Sequence, residues 1–269
     1  MTYRGKHKVE VDLFVKACRR LSNLRYVTDH GGNLAWRVED DMVLITPTMM
    51  NKGDIRTQDL VFLDLSGRPL EGARPVTSEL VVYLTLFKAR PDIRAIIHSH
   101  PPHASGFAIA RGENWLLRPL LAEAVLELGP VPVVPYAEPA TQTLADRFLP
   151  YLERHNSFLM ENHGVLTMTP GDIVKAVMLV DLLELTAISI LDALKLGGIK
   201  EITEAGLRNL ENLRQRGNIP LPGRLGVNTS LVNLYCNTKT NQQQGGGYAR
   251  SPRHAQALRP GQSRFGSVR

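Results

Sequence analysis

The sequence predicts one α/β domain carrying a basic, low-complexity extension. Three observations carry this reading. Short apolar runs of strand length are interleaved with longer stretches of helical period as far as residue 214. Several helical stretches have matching start and stop residues. Near residue 217 the composition changes. Of 269 residues, 43% are hydrophobic and 22% charged, which is ordinary globular usage and enough for a sizeable core. That excludes a wholly disordered chain, a collagen and a disulfide scaffold.

In chain order, residues 8–23 recur at helical spacing, with Val9, Phe14, Val15, Cys18 and Leu21 set against Lys16, Arg19 and Arg20. Asp29-His30-Gly31-Gly32-Asn33 is a loop by composition. Strand-like runs follow at 34–38, 42–46 and 60–65, the first two joined by an Asp40-Asp41 turn. Residues 77–90 form a helix that opens on the capping residues Thr77 and Ser78 and stops at Pro91. Residues 93–98 read as a strand, 101–110 as a helix, and 131–135 as an edge strand because of its prolines. A helix covers 140–153, and strands cover 158–160 and 165–168. The clearest helix is 170–196, with Thr169 as cap and Gly197-Gly198 as stop. Residues 201–214 form another.

Residues 1–219 are read as the folded domain and 220–269 as a mostly disordered tail. The tail is rich in Gly, Gln, Pro, Ser and Arg and lacks the apolar density to offset ordering entropy. One apolar island, 231–235, is suited to docking. The net charge of +6 belongs to this tail: residues 217–269 hold seven Lys or Arg and no acid, leaving −1 for the rest. Nucleic-acid binding by the tail is disfavoured, since aromatic residues are sparse there. The start has no apolar signal segment, and charges interrupt 173–196, so no membrane span is expected. Cys18 and Cys236 show no metal or redox spacing, and a reducing, cytoplasmic setting is the default.

The chemistry concentrates in a few places. His98-Ser99-His100 ends a strand, where side chains at i and i+2 leave on one face, about 7 Å apart. A bend at Pro101-Pro102 would let both imidazoles meet one ion. A catalytic zinc takes three protein ligands and keeps an open position. The third candidate is His163 in Glu161-Asn162-His163-Gly164, ahead of His103 and His155. The bland alternative is a set of unrelated polar histidines. Glu79 stands in the first turn of a helix, where a carboxylate serves as a cap or as a general base or displaceable ligand. Gly31-Gly32-Asn33 and Thr77-Ser78 offer N–H groups to an anion, or are simple turns.

Taken together, GGN, ITPT, TSE before a helix, HSH, PYA and ENHG, in that order over residues 8–215, resemble the class II aldolase/adducin-like family. The resemblance implies a central mixed or antiparallel sheet flanked by helices. It implies one divalent ion per subunit, usually Zn2+ with Mn2+ or Co2+ as alternatives, on His98, His100 and His163. It makes Glu79 the acid/base, and Asn33, Thr48, Thr77 and Ser78 the phosphate-binding residues. Tyr136 would act from a neighbouring subunit, in a homotetramer with active sites at subunit contacts. The implied reaction is metal-dependent retro-aldol cleavage of a ketose 1-phosphate, like L-fuculose 1-phosphate, to dihydroxyacetone phosphate and an aldehyde. Alternatives on the same site are a sugar-phosphate 4-epimerase, a dehydratase and a decarboxylase. A non-catalytic adducin-like scaffold is disfavoured by retention of the histidines and Glu79. The chain departs from the aldolase pattern at His30, which replaces a Thr, and at Met49, which replaces a Gly and adds bulk near the phosphate. The tail is also suited to recruitment into a larger assembly such as a bacterial microcompartment.

Overall fold

The computed structural model describes residues 2–236. The strands are β1 (Asn33–Glu39), β2 (Met42–Ile45), β3 (Val61–Asp64), β4 (Pro69–Glu71), β5 (Ala95–Ser99), β6 (Val133–Val134), β7 (Ser157–Met160) and β8 (Gly164–Thr169). The helices are α1 (Tyr3–Lys6), α2 (Lys8–Asn23), α3 (Leu80–Ala89), α4 (Pro102–Ile109), α5 (Ala122–Glu127), α6 (Gln142–Phe148), α7 (Ile173–Lys195), α8 (Glu204–Arg216) and α9 (Leu231–Cys236). The strands form one sheet in the order β4-β3-β2-β1-β5-β8-β7-β6. Every pairing is antiparallel except β6 with β7, so the sheet is mixed, as the resemblance implies.

Helices cover both faces, which is why the central strands read as near-continuous apolar runs. The two-residue period still sorts them. Leu34, Trp36 and Val38 of β1 and Ile97 of β5 pack with α2 and α7 residues such as Phe14, Leu21, Ala176 and Val180. Ala35 and Ile96 face the other way, with Tyr83, Leu86 and Phe87 of α3 and Leu144 and Phe148 of α6. A third cluster joins α4 and α7 through Ala104, Phe107, Leu179 and Leu183.

The sequence-derived elements hold, with local corrections. In α2, Val9 is exposed and Val11 takes the buried place, because the apolar stripe is set by contact with the sheet. In α7, Asp172 is the cap, its side chain accepting from the Lys175 N–H, and Pro170 lies outside the helix. β4 and α5, too short and mixed to show a period, are revealed only by the structure.

The larger correction concerns the boundary at 219. The 231–235 island docks on its own chain as part of α9. Leu231, Leu234 and Tyr235 are buried with Val125 and Leu126 of α5 and Leu207 of α8. The Leu231 N–H donates to Glu211 Oε2 at 3.0 Å, and Asn228 Nδ2 donates to the Arg154 carbonyl at 3.0 Å. Burial of three apolar side chains offsets the ordering entropy that the surrounding composition suggested would prevail. The rest of the proposed disordered tail, 237–269, lies outside the described residues. Among the described residues no helix is long and apolar enough to cross a membrane.

Leu234→Ala should lower unfolding free energy by about 2–5 kcal/mol in a denaturant titration, with divalent-metal content unchanged. A loss below about 1 kcal/mol would mean that α9 is not part of the core.

Candidate metal centre

Sheet register assembles the site. Asn33, the first residue of β1, pairs with His98, next to last in β5. On the other side of β5, His98 pairs with Leu166 and Ser99 with Val165 of β8. The turn from β7 to β8, closed by the Met160–Gly164 pair, therefore carries His163 to the same end of the sheet. β2 also finishes there. The chain beyond it bridges Pro47 to Val76, and the Thr77 N–H donates to the Thr46 carbonyl at 3.3 Å. That contact brings Thr77, Ser78 and Glu79 beside the histidines.

The three rings converge. His98 Nδ1–H donates to the Val165 carbonyl at 2.9 Å, which leaves the Nε2 lone pair directed at the site. His100 lies one residue beyond β5, its N–H donating to the Tyr26 carbonyl at 2.6 Å. The Nε2 atoms of His98 and His100 are 3.1 Å apart, far closer than a straight strand would hold them. Candidate ligand atoms of His98, His100 and His163 all lie within 4.8 Å of one another. Ligands about 2.1 Å from one ion stand about 3.4 Å apart in a tetrahedral shell, so the donor set fits a divalent metal. Burial, aided by repulsion from His98, pushes His100 down to about 3 and His163 to about 4, so both are neutral, as metal ligands must be.

Glu79 faces this group. Its Oε2 is 3.6 Å from His98 Nε2 and its Oε1 3.6 Å from His163 Nε2. It occupies the position just before α3 and makes no cap hydrogen bond, which corrects the reading of a carboxylate inside the first helical turn. Burial acts to raise its pKa, but attraction to His98 and the Asn33 amide outweighs this and holds it below the ordinary carboxylate range. Asn33 Nδ2 donates to Glu79 Oε2 at 2.9 Å, so Asn33 touches the acid directly.

These residues line a cleft of about 170 Å³ together with His30, Thr48, Met49, Thr77 and Ser78. The other expected phosphate residues are thus on the same wall. Tyr136 is not: it is 54% exposed, outside the cleft of its own chain, with its N–H donating to Glu161 Oε2. The weaker candidates are elsewhere. His103 Nδ1 is 2.7 Å from Glu184 Oε1, and buried His155 donates Nδ1–H to the Pro130 carbonyl at 2.9 Å.

Two glycine motifs have steric causes. A Cβ on Gly164 would lie 2.3 Å from His100 Cδ2 and 2.7 Å from the Ser99 carbonyl oxygen. Gly32 has φ +77° and would place a Cβ 2.5 Å from Val27 Cγ1. Met49, where the aldolase pattern has Gly, is held at φ +53° with its side chain in solvent, an uncommon conformation for this residue type.

Three residues escaped sequence reasoning. The Tyr83 hydroxyl, four residues after Glu79, donates to the Asn33 carbonyl at 2.7 Å and accepts from the His98 N–H at 3.2 Å. The i, i+4 spacing was a usable signal. Glu184, seen only as a charge in an apolar run, caps α4 by accepting from the N–H groups of His103 and Ala104. Lys52 lines the cleft and is buried.

A mixed sheet with three histidines and a carboxylate gathered at one end defines a protein of the class II aldolase type. Residues 12–189 match the Class II Aldolase and Adducin N-terminal domain family, and the chain belongs to it. It is 29% identical over 203 residues to a 3-oxo-tetronate 4-phosphate decarboxylase of Haemophilus influenzae, covering 75% of this chain and 95% of that protein. It is 32% identical over 171 residues to an L-fuculose phosphate aldolase of Methanocaldococcus jannaschii, covering 64% and 90%. The crystal structure of YgbL from Klebsiella pneumoniae superposes with a TM-score of 0.70 at 26% identity, covering 78% of this chain and 99% of that one.

Gly164→Ala should displace the His100 ring and sharply reduce the divalent metal retained after dialysis, while circular dichroism stays native-like. Full metal retention would show that the close approach of Gly164 and His100 does not shape the site.

Proposed function

We propose that the protein is a metal-dependent carbon–carbon lyase that cuts the bond between the carbon beside the ketone and the next carbon out in a phosphorylated substrate, and releases dihydroxyacetone phosphate. The observation that carries this reading is the gathering of His98, His100 and His163 against Glu79 at one end of the sheet. A divalent ion in that donor set, Zn2+ first and Mn2+ or Co2+ as alternatives, supplies Lewis-acid stabilisation for charge developing on adjacent oxygens.

The chain's own residues do the rest. Asn33, Thr48, Thr77 and Ser78 anchor the phosphate and so orient the reacting carbons. The carbon–carbon bond breaks with its electron pair kept on the carbon beside the ketone. Glu79, ionised at rest, takes up a proton from solvent and delivers it to that carbon, and as the base removes it in the reverse direction. Asn33 keeps the carboxyl directed at the site. In retro-aldol cleavage of a ketose 1-phosphate, the departing half is an aldehyde, and its hydroxyl proton must be taken. Tyr136, exposed on its own chain, serves this end from a neighbouring copy in a homotetramer.

A second reading is supported by the longer match to the 3-oxo-tetronate 4-phosphate decarboxylase. Loss of CO2 from such a 3-oxo acid leaves the same electron pair beside the same ketone and the same three-carbon phosphate. It needs Glu79 as acid but no group to take an aldehyde-side proton.

One set of assays separates them. Dihydroxyacetone phosphate release is measured with ketose 1-phosphates and with 3-oxo-tetronate 4-phosphate, scoring aldehyde or CO2 as co-product. Removal of metal by a chelator should abolish either reaction. Glu79→Gln should keep the metal and lower proton exchange on dihydroxyacetone phosphate by about 10²–10⁴-fold. Tyr136→Phe should impair aldol cleavage but leave both that exchange and decarboxylation intact. Full turnover in Glu79→Gln would sink the base assignment.

The working compartment is the reducing cytoplasm, with residues after α9 as an address to a larger assembly such as a microcompartment. Deleting 237–269 should leave turnover unchanged and alter co-purification. Unchanged co-purification would dismiss the address.

A further inference from the structure

Lys52 is 1% exposed, an unusual state for an ammonium group. Its Nζ donates to the Met50 carbonyl at 2.9 Å, and among the described residues no carboxylate forms an ion pair with it. Burial lowers its pKa from the ordinary lysine value. The nearby Cys18 gives no counter-charge, because burial pushes that thiol up to about 12 and keeps it neutral.

The position is built rather than incidental. The segment that carries Lys52 is tied down on both sides. The Thr48 N–H donates to the Pro75 carbonyl at 3.0 Å, Asn51 Nδ2 donates to Asp29 Oδ1 at 2.7 Å, and the Gly53 N–H donates to Asn51 Oδ1 at 2.8 Å. Lys52 lines the cleft that also holds Thr48, Thr77, Ser78, Glu79 and the histidines. Its positive charge reaches the His100 ring, where it helps disfavour protonation. Glu79 is the one acid lining this cleft, and its Oε2 is already engaged by Asn33. A buried cation without an anion is costly, and the cost is removed if a ligand brings the anion.

We propose that Lys52 is the cationic receptor of the substrate's phosphate group, contributing a charge-assisted hydrogen bond from Nζ beside the neutral donors Asn33, Thr48, Thr77 and Ser78. The proposal deepens the lyase reading and rests on it for the presence of a phosphate in the substrate. An ammonium is a point charge with three donors, suited to a phosphate dianion of variable orientation. On binding, Nζ exchanges or shares its contact with the Met50 carbonyl. The 48–52 segment then takes the place that Gly and backbone N–H groups fill in the aldolase pattern, where Met49 now stands.

The test is titration of the full chain with inorganic phosphate, with and without bound metal, so that direct contact with the ion is separated. Lys52→Met and Lys52→Gln should keep full metal content and weaken phosphate binding by about ten- to a hundredfold. Lys52→Arg should restore most of it. Phosphate affinity unchanged in both neutral variants would overturn the proposal. So would a Lys52 dependence seen for acetate and absent for phosphate, which would assign the ammonium to a carboxylate. Should the neutral variants not fold, crystals of the unaltered protein soaked in phosphate decide. A phosphate oxygen about 3 Å from Nζ supports the assignment, and phosphate seated elsewhere with Nζ still on the Met50 carbonyl refutes it. These readouts need no turnover, so failure of the lyase reading would show separately, as substrates that release no dihydroxyacetone phosphate.

Discussion

The antiparallel register that seats β5 between β1 and β8 is the constraint on which the site depends. It sets Asn33 and Leu166 on either side of His98, and it places the β7–β8 turn at the same end of the sheet. A slip of one residue would turn His98 toward the opposite face, because side chains alternate along a strand. The register is held by burial on both sides: Leu34 and Ile97 face one helical layer, Ala35 and Ile96 the other. The apolar core and the polar site are therefore one structural decision.

Around that register, second contacts fix each donor. The Val165 carbonyl sets the His98 tautomer, Asn33 holds Glu79, and Tyr83 ties the backbones of Asn33 and His98 together. Glu184 caps α4 immediately after the histidine pair, which fixes how the chain leaves the site. Burial keeps His100 and His163 neutral while the same surroundings keep Glu79 ionised. Neutral imidazoles opposite a carboxylate are what a divalent ion and a proton-transfer step both require.

Much of this was legible in the residues. The short apolar runs at 34–38 and 42–46, joined by the Asp40-Asp41 turn, marked β1 and β2, and Thr77, Ser78 and Pro91 bracketed α3 to within a turn. The six motifs marked the family and the donor set. The misreadings share a physical origin. Thr169 looked like the cap of α7 because local chemistry permits it, but Asp172 makes the bond. Residues 231–235 sat in polar, glycine-rich company, and only the exposed apolar faces of α5 and α8 give that segment something to cover. Lys52, in a polar Asn-Lys-Gly-Asp stretch, has the local composition of a solvated loop. Its burial arises where that loop passes over the end of α2, with Gly53 close against Ser22, and lines the cleft.

By itself the sequence determined which atoms were available: imidazoles two apart at a strand end, a carboxylate before a helix, a histidine between an asparagine and a glycine, and the periods that make sheet and helices. Those are local properties, governed by backbone geometry and side-chain chemistry over a few residues. The tertiary structure decided that His163 meets His98 and His100, that Tyr136 stays outside its own cleft, and that an ammonium group is left in the wall without an acid. Each of these depends on which distant surfaces bury one another, and local periodicity carries no distance across the chain.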